Sequence, residues 1–350
     1  MISRRDLGRL LALAGLGAAL PRQAGAQRRR QRRASGAIKP PRLAPGDTVA
    51  LVLPASLAFE PSSIDLAREQ LEAIGLRVRP GEHVRQRHGY FAGTDAERAA
   101  DLNAAFADPE VKGIFCFRGG WGTPRLLPLL DYDAIRRHPK PLVGFSDVTA
   151  LLNAIHQQTG LVTFHGPAAA GNLRPWTLAH LRRVLMSREP IGTLANPDKP
   201  AEELVNRTWR TVTVRGGRAS GRLAGGNLTL LAVLMGTPWE VDTEGAILLL
   251  EDTHEELYRV DRMLTQLAQG GKLAAAAGVV FGHCTDCPPG EGPTFSLEEI
   301  LHHHLAPLGV PVLSGLAFGH VREKLTLPIG LAATLDADAG TLHLDQAAVV

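Results

Sequence analysis

Between residues 48 and 145 the chain alternates short apolar runs with amphipathic helical stretches, and this alternation narrows the fold more than any other feature. Residues 48–53 predict a strand ending at Pro54-Ala55-Ser56. In 64–74, Ile64, Ala67, Leu71 and Ile74 recur at helical spacing on one face. Residues 76–78 predict the next strand, 95–106 a helix stopped by Asp108-Pro109, and 113–117 a buried strand. After the glycine-rich stretch Arg118-Gly119-Gly120-Trp121-Gly122, residues 126–130 and 132–137 lead to a strand at 142–145. Strands separated by helices at this spacing pair in parallel, each crossover helix covering a face of the sheet. The predicted class is α/β, with an N-terminal, mostly parallel sheet and flanking helices.

Residues 171–210 change character. Pro175, Pro190, Pro197 and Pro200 punctuate them and the periodicity weakens, so they read as an interdomain connection. Short strands then follow at 211–214, 219–223, 246–250, 278–281 and 310–315, with a closing hairpin over 336–340. Helices at 228–234, 255–267 and 297–305 are interspersed. The second part, 211–350, is therefore expected to be a smaller, β-rich, barrel-like domain, set against an N-terminal α/β domain at 43–170.

The formal charge of +3 divides unevenly. Residues 1–42 carry eleven Lys/Arg and one acid, which leaves 27 Lys/Arg against 34 Asp/Glu, a net of −7, for the rest. A mildly acidic body argues against a nucleic-acid partner. The N-terminus reads as an export signal at 1–26. Arg4-Arg5 start it, residues 10–20 are apolar, and Ala24-Gly25-Ala26 supplies small residues for cleavage. Eleven apolar residues are too few to span a bilayer, which takes about 20. No other segment is apolar enough to suggest an integral membrane domain. The expectation is a periplasmic protein, with the twin-arginine route as the candidate. Residues 27–42, with five arginines between Arg28 and Arg33, read as a basic, disordered tether.

Leu142-Val143-Gly144-Phe145-Ser146-Asp147 is the most informative local string. An apolar strand runs into Ser146, and a helix follows, with Val148, Leu151, Leu152 and Ile155 on its buried face. A serine on such a turn presents its hydroxyl at the sheet edge, beside N–H groups able to stabilise an oxyanion. Ser146 could equally be a helix N-cap. The turn at 118–122 lets backbone approach a ligand but lacks dinucleotide-binding spacing. Glu251 ends the apolar run 248–250, and His320 follows another at 312–318. Each has a plainer reading, a helix-terminal charge for Glu251 and a hydrogen-bonded core residue for His320. A Ser, an acid and a His at strand ends can compose a hydrolytic triad.

These residues carry a resemblance to the LD-carboxypeptidases of serine peptidase family S66. The matching strings are Arg118-Gly119-Gly120-Trp121-Gly122, Leu126-Leu127-Pro128, Leu130-Asp131-Tyr132, Gly144-Phe145-Ser146-Asp147 and His165-Gly166-Pro167. They continue through Gly225-Gly226-Asn227-Leu228, Gly236-Thr237-Pro238, Leu250-Glu251-Asp252, Arg262-Met263-Leu264 and Gly319-His320. Trp121 stands where tyrosine is expected and Ala168 where methionine is expected. The resemblance implies an α/β domain and a smaller β-rich domain with the site between them. It implies Ser146, Glu251 and His320 as the triad, and Asp147 with Gly119 or Gly120 as oxyanion donors. Arg118 is a candidate for the substrate carboxylate. The implied substrate is a murein tetrapeptide that loses its terminal D-Ala, with no cofactor and no metal. A homodimer is left open, since the sequence does not decide the oligomeric state.

Three alternatives stand beside this reading. His283-Cys284-Thr285-Asp286-Cys287 and His302-His303-His304 could bind a structural metal, or the two cysteines could form a local disulfide. Cys116, in a strand, reads as core. The chain could be a non-catalytic cell-wall-binding module. It could also hydrolyse peptidyl or aminoacyl nucleotide conjugates, as the microcin-immunity branch of the family does.

Overall fold

A computed structural model describes residues 36–290 and 292–350, and Ile38–Val350 form one compact unit. The expected leader and the arginine tract at 28–33 lie outside the described residues. In chain order, the first part comprises β1 (Thr48–Val52), α1 (Ser62–Ala73), β2 (Arg77–Pro80), α2 (Asp95–Ala107) and β3 (Val111–Cys116). After a 3₁₀ stretch at Thr123–Leu129 come α3 (Tyr132–Arg137), β4 (Leu142–Gly144), α4 (Thr149–Thr159) and β5 (Thr163–His165). The chain goes on through α5 (Pro175–Leu185), β6 (Gly192–Leu194), β7 (Val212–Arg215), β8 (Arg218–Asn227) and α6 (Leu228–Val233). Next are β9 (Ala246–Thr253), α7 (Leu257–Gln269), β10 (Gly278–Thr285), α8 (Leu297–Leu305) and β11 (Val312–Ser314). It ends with β12 (Leu327–Ile329), β13 (Ala332–Asp336) and β14 (Thr341–Leu344).

Two sheets result. The first has the order β12-β5-β4-β3-β1-β2 and is parallel except where β12 meets β5. Strands β1, β3, β4 and β5 are largely buried, as a parallel sheet covered on both faces requires, whereas the edge strand β2 is exposed. The second is a curled half-barrel of eight strands, β6-β14-β13-β8-β9-β10-β11-β7, with a parallel centre from β8 to β11. No helix among the described residues is long and apolar enough to cross a membrane.

Three expectations need adjusting. Residues 38–42 are not a tether but part of the body. Ile38 exchanges hydrogen bonds with Gly160 and Val162, and the Arg42 N–H donates to the carbonyl of Val350 at 3.0 Å. The stretch 171–210 is more than a connection, since it holds α5 and also β6, an edge strand of the second sheet. The two parts are also interleaved, because β12 leaves the C-terminal region to close the edge of the first sheet beside β5.

The sheets are joined where α4 meets the end of β8. Asn153, buried on α4, donates from Nδ2 to the Gly225 carbonyl at 2.9 Å and accepts from the Gly225 N–H at 2.9 Å. The Asn227 N–H donates to Thr149 Oγ1 at 3.1 Å. Contact this close requires Gly226, at φ +137°, because a Cβ there would lie 2.7 Å from Thr149 Oγ1 and 3.0 Å from the His165 ring. Asn153→Ala orphans the Gly225 N–H and C=O, so it should cost roughly 2–6 kcal/mol, at about 1–3 kcal/mol per buried group left unpaired. Thermal unfolding of the variant measures this, and an unchanged midpoint contradicts the clamp.

Candidate active site

At the end of β4 the backbone turns sharply. Phe145 is extended, and Ser146 takes φ +63°, a left-handed conformation that costs a non-glycine residue strain. A 3₁₀ turn at Ser146–Val148 then feeds α4. The side chain of Ser146 caps neither helix: the N-cap positions are Phe145 and Val148, and neither has a side-chain capping bond. The N-cap reading is therefore set aside.

The glycine-rich turn packs directly on this serine. A Cβ at Gly119 would lie 2.7 Å from Ser146 Cβ, 2.9 Å from its Oγ and 3.0 Å from the Asp147 nitrogen. The turn is held from three sides. The buried carboxylate of Asp147 accepts from the Thr123 N–H at 2.7 Å. Burial pushes this carboxyl's pKa up, and the bonds from Thr123 pull against that shift. Ser56 Oγ accepts from the Trp121 N–H at 3.1 Å. The buried Arg98 guanidinium donates to the carbonyls of Pro54 at 2.6 Å and Gly122 at 3.2 Å, and pairs with Asp95.

Glu251 and His320 arrive from the second sheet's side. Glu251, near the end of β9 and in register with Asn227 on β8, is fully buried. Its Oε2 lies 2.7 Å from His320 Nδ1 and also accepts the His320 N–H at 3.3 Å. His320 Nε2 lies 3.0 Å from Ser146 Oγ. A carboxylate at Nδ1 fixes the proton there, leaving Nε2 to accept the serine hydroxyl. Gly319, at φ +84°, permits the approach, since a Cβ would fall 2.2 Å from Glu251 Oε2. The next carboxylate has a different task. Asp252 accepts from Asn227 Nδ2, the Thr253 N–H, and the Thr229 N–H and hydroxyl at 2.8–2.9 Å, tying β9 to the start of α6. Neighbouring residues on a strand face opposite ways, so one carboxylate serves the site and the other the scaffold.

Behind Glu251 lies His165 of β5, buried, with its Nε2 4.0 Å from Glu251 Oε1. Burial, reinforced by the charges of His320 and Lys324, lowers its pKa to about 3, so the ring is neutral. The Phe145 ring packs edge-on against His320 at 4.8 Å between centroids, and the Lys324 ammonium sits 4.1 Å from the Phe145 ring centroid.

Ser146 and His320 open onto a cavity of about 950 Å³, which Arg118, Gly119, Gly120 and Lys324 also line. Arg118 lies over the Phe59 ring at 5.0 Å. The rim at Thr253 and His254 is fastened to the end of β10. The His254 N–H and the Thr253 hydroxyl donate to the Thr285 carbonyl at 3.0 and 2.9 Å. Beside that carbonyl Cys284 and Cys287 form a disulfide, so their sulfurs are paired with each other rather than offered to a metal. Cys116 is buried.

All seven residues singled out in the sequence thus lie at this site: Ser146, Glu251 and His320 in one hydrogen-bonded row, Asp147 and Gly119 against the serine, and Gly120 and Arg118 along the cavity. Phe145, His165 and Lys324 were missed as site residues. Phe145 directly precedes Ser146, His165 opens His165-Gly166-Pro167, and Lys324 follows His320 by four positions.

Residues 49–166 match the LD-carboxypeptidase N-terminal domain of peptidase family S66, and residues 220–335 match its C-terminal domain. The chain belongs to this family. A Bacillus subtilis protein named "Probable murein peptide carboxypeptidase" is 41% identical over 304 residues, covering 85% of this chain and 91% of that one. The structure of muramoyltetrapeptide carboxypeptidase from Oxalobacter formigenes superposes with a TM-score of 0.73 at 33% identity, over 86% of this chain and 98% of that one. The microcin C7 self-immunity protein MccF of Escherichia coli, in complex with aspartyl sulfamoyl adenosine, superposes with a TM-score of 0.79 at 28% identity, over 89% and 100%.

The neutral, buried His165 has a consequence for acid stability. Its folded pKa of about 3 lies below the usual 6.5, so the unfolded chain binds the extra proton between those values. Its contribution to stability is complete above pH 6.5 and is lost as pH falls toward 3. His180, lowered by burial to about 4, acts in the same sense. Urea midpoints measured from pH 7 to pH 4 should fall, and His165→Asn should flatten the slope. A variant with the wild-type slope contradicts the assignment.

Proposed function

We propose that this member of the S66 family is a serine carboxypeptidase that hydrolyses the L,D-peptide bond of murein tetrapeptides and releases terminal D-Ala. The observation that carries the reading is the row Ser146–His320–Glu251 opening on the cavity. Ser146 Oγ attacks the scissile carbonyl carbon while His320 Nε2 takes its proton, and Glu251 stabilises the resulting imidazolium. The N–H of Asp147, with that of Gly119 or Gly120, holds the oxyanion; one such donor is typically worth ~10²–10³ in rate. His320 then protonates the leaving amine of D-Ala. Water, activated by the same imidazole, releases the product and restores the serine. The carboxypeptidase names of the relatives support the substrate class.

The protein is read as exported to the periplasm, its leader cleaved after Ala26. The Cys284–Cys287 pair supports this, since disulfides persist chiefly in oxidising compartments. A second reading keeps the chemistry and takes aminoacyl nucleotide conjugates as substrate, on the strength of the likeness to MccF with its sulfamoyl adenosine ligand.

Mass spectrometry of the purified protein with a panel of murein tetrapeptides and an aminoacyl nucleotide tests the substrate. Loss of one alanine from a tetrapeptide is expected, and cleavage of the nucleotide alone contradicts the reading. Ser146→Ala should fold normally, since it breaks no capping bond, and lose at least about 10³-fold in turnover. Glu251→Gln added to His320→Ala should lower kcat/KM little further, because residues acting as a unit are not additive. Multiplicative losses would show that the three do not form one triad. Protein recovered from its native host should begin after Ala26; an intact Met1 contradicts export.

A further inference from the structure

We propose that Lys324 is the cation that binds the terminal carboxylate of the substrate. The inference rests on the carboxypeptidase reading and assigns the group that makes the site select a free chain end. In such a reaction the scissile carbonyl and the terminal carboxylate belong to adjacent residues, whose Cα atoms are about 3.8 Å apart. The binding cation must therefore sit close to the attacking serine.

Lys324 meets that demand. It lines the same cavity as Ser146 and His320. Its ammonium lies 4.1 Å from the ring centroid of Phe145, the residue immediately before Ser146, and that ring also packs against His320. Its backbone is pinned. The Lys324 N–H donates to Thr177 Oγ1 at 3.0 Å, and Thr177 donates from its hydroxyl and N–H to the Glu323 carboxylate at 2.9 and 3.3 Å. This fastens the segment to the first turn of α5 and leaves the side chain to reach the cavity.

Apart from the Phe145 ring, its ammonium also has no close polar partner among the described residues. Among the described residues no hydrogen bond or salt bridge involves the Lys324 ammonium, whereas Arg174, on the same cavity, faces Glu323 at 3.8 Å. Burial lowers the Lys324 pKa to about 8, with the charge of Glu251 acting the other way. An ammonium withdrawn from water and lacking a hydrogen-bonded counterion gains most from an arriving carboxylate. Arg118, the cation singled out in the sequence, is placed differently. It lies over the ring of Phe59, a residue 70% exposed, whereas Lys324 packs on the ring of Phe145 directly beside Ser146.

The test compares a murein tetrapeptide bearing a free terminal carboxylate with the same peptide as its carboxamide, using wild type, Lys324→Met, Lys324→Arg and Arg118→Met. Wild type should prefer the free acid. Lys324→Met should lose roughly 10²-fold in kcat/KM on the acid, chiefly through KM, the scale expected when one partner of a desolvated charge pair is removed. It should lose little on the amide, which also reports that Ser146 and His320 still function. Lys324→Arg should recover part of the preference, and Arg118→Met should keep it. A Lys324→Met enzyme with the wild-type preference for acid over amide overturns the inference, as does collapse of that preference in Arg118→Met instead. In both cases wild type still cleaves the tetrapeptide, so the carboxypeptidase reading survives. A wild-type protein that cleaves neither peptide overturns that reading and this inference together.

Discussion

The site depends on one junction, the docking of α4 onto the end of β8. Ser146 comes at the end of a strand in one sheet, and Glu251 near the end of a strand in the other. Neither sheet alone brings them together. Asn153 clamps both polar groups of Gly225 from the helix that follows the serine, and Thr149 takes the N–H of Asn227, which stands in register with Glu251. The helix that follows Ser146 and the strand paired with that of Glu251 are thereby held through buried hydrogen bonds. Removing one partner of such a bond costs more than the bond contributes on average, because the other group stays desolvated. Glycine at 226 is the steric condition for the contact.

The same logic recurs around the serine. The left-handed backbone at Ser146 is held by Asp147 bonded to Thr123, by Gly119 lying flat against the side chain, and by Arg98 anchoring Gly122 from the protein interior. A second glycine, Gly319, lets His320 lie against the fully buried Glu251. The strained turn is stable because neighbours on three sides fix it, and it keeps the hydroxyl facing the imidazole with little reorganisation.

Much of this is readable in the amino-acid order, for identifiable reasons. The unbroken apolar run before Ser146 gives way directly to helical spacing at Val148, Leu151, Leu152 and Ile155. Glu251 and His320 stand out because a charged or titratable residue at the close of an apolar run has to be accounted for. What sequence periodicity cannot carry is long-range placement. Strand β12 is three residues long and contains Pro328, which fits an edge position, and no local pattern assigns it to the first sheet rather than the second. Asn153 reads as one polar residue on a helix, and its value lies in a partner 72 positions away. Lys324 belongs to a short polar stretch after His320, where nothing in its spacing separates a cavity lysine from a surface one. The two cysteines were legible as a pair, but their choice between metal and disulfide is decided by geometry.

The central claim is that His320, oriented by Glu251, makes Ser146 an activated nucleophile. The most direct measurement is peptide mapping by mass spectrometry after reaction with a phosphonofluoridate, which labels activated serines and needs no knowledge of the natural substrate. The account predicts stoichiometric label on Ser146 in the wild-type protein and almost none in His320→Ala. Label on another residue, or equal labelling of Ser146 with and without His320, would contradict it.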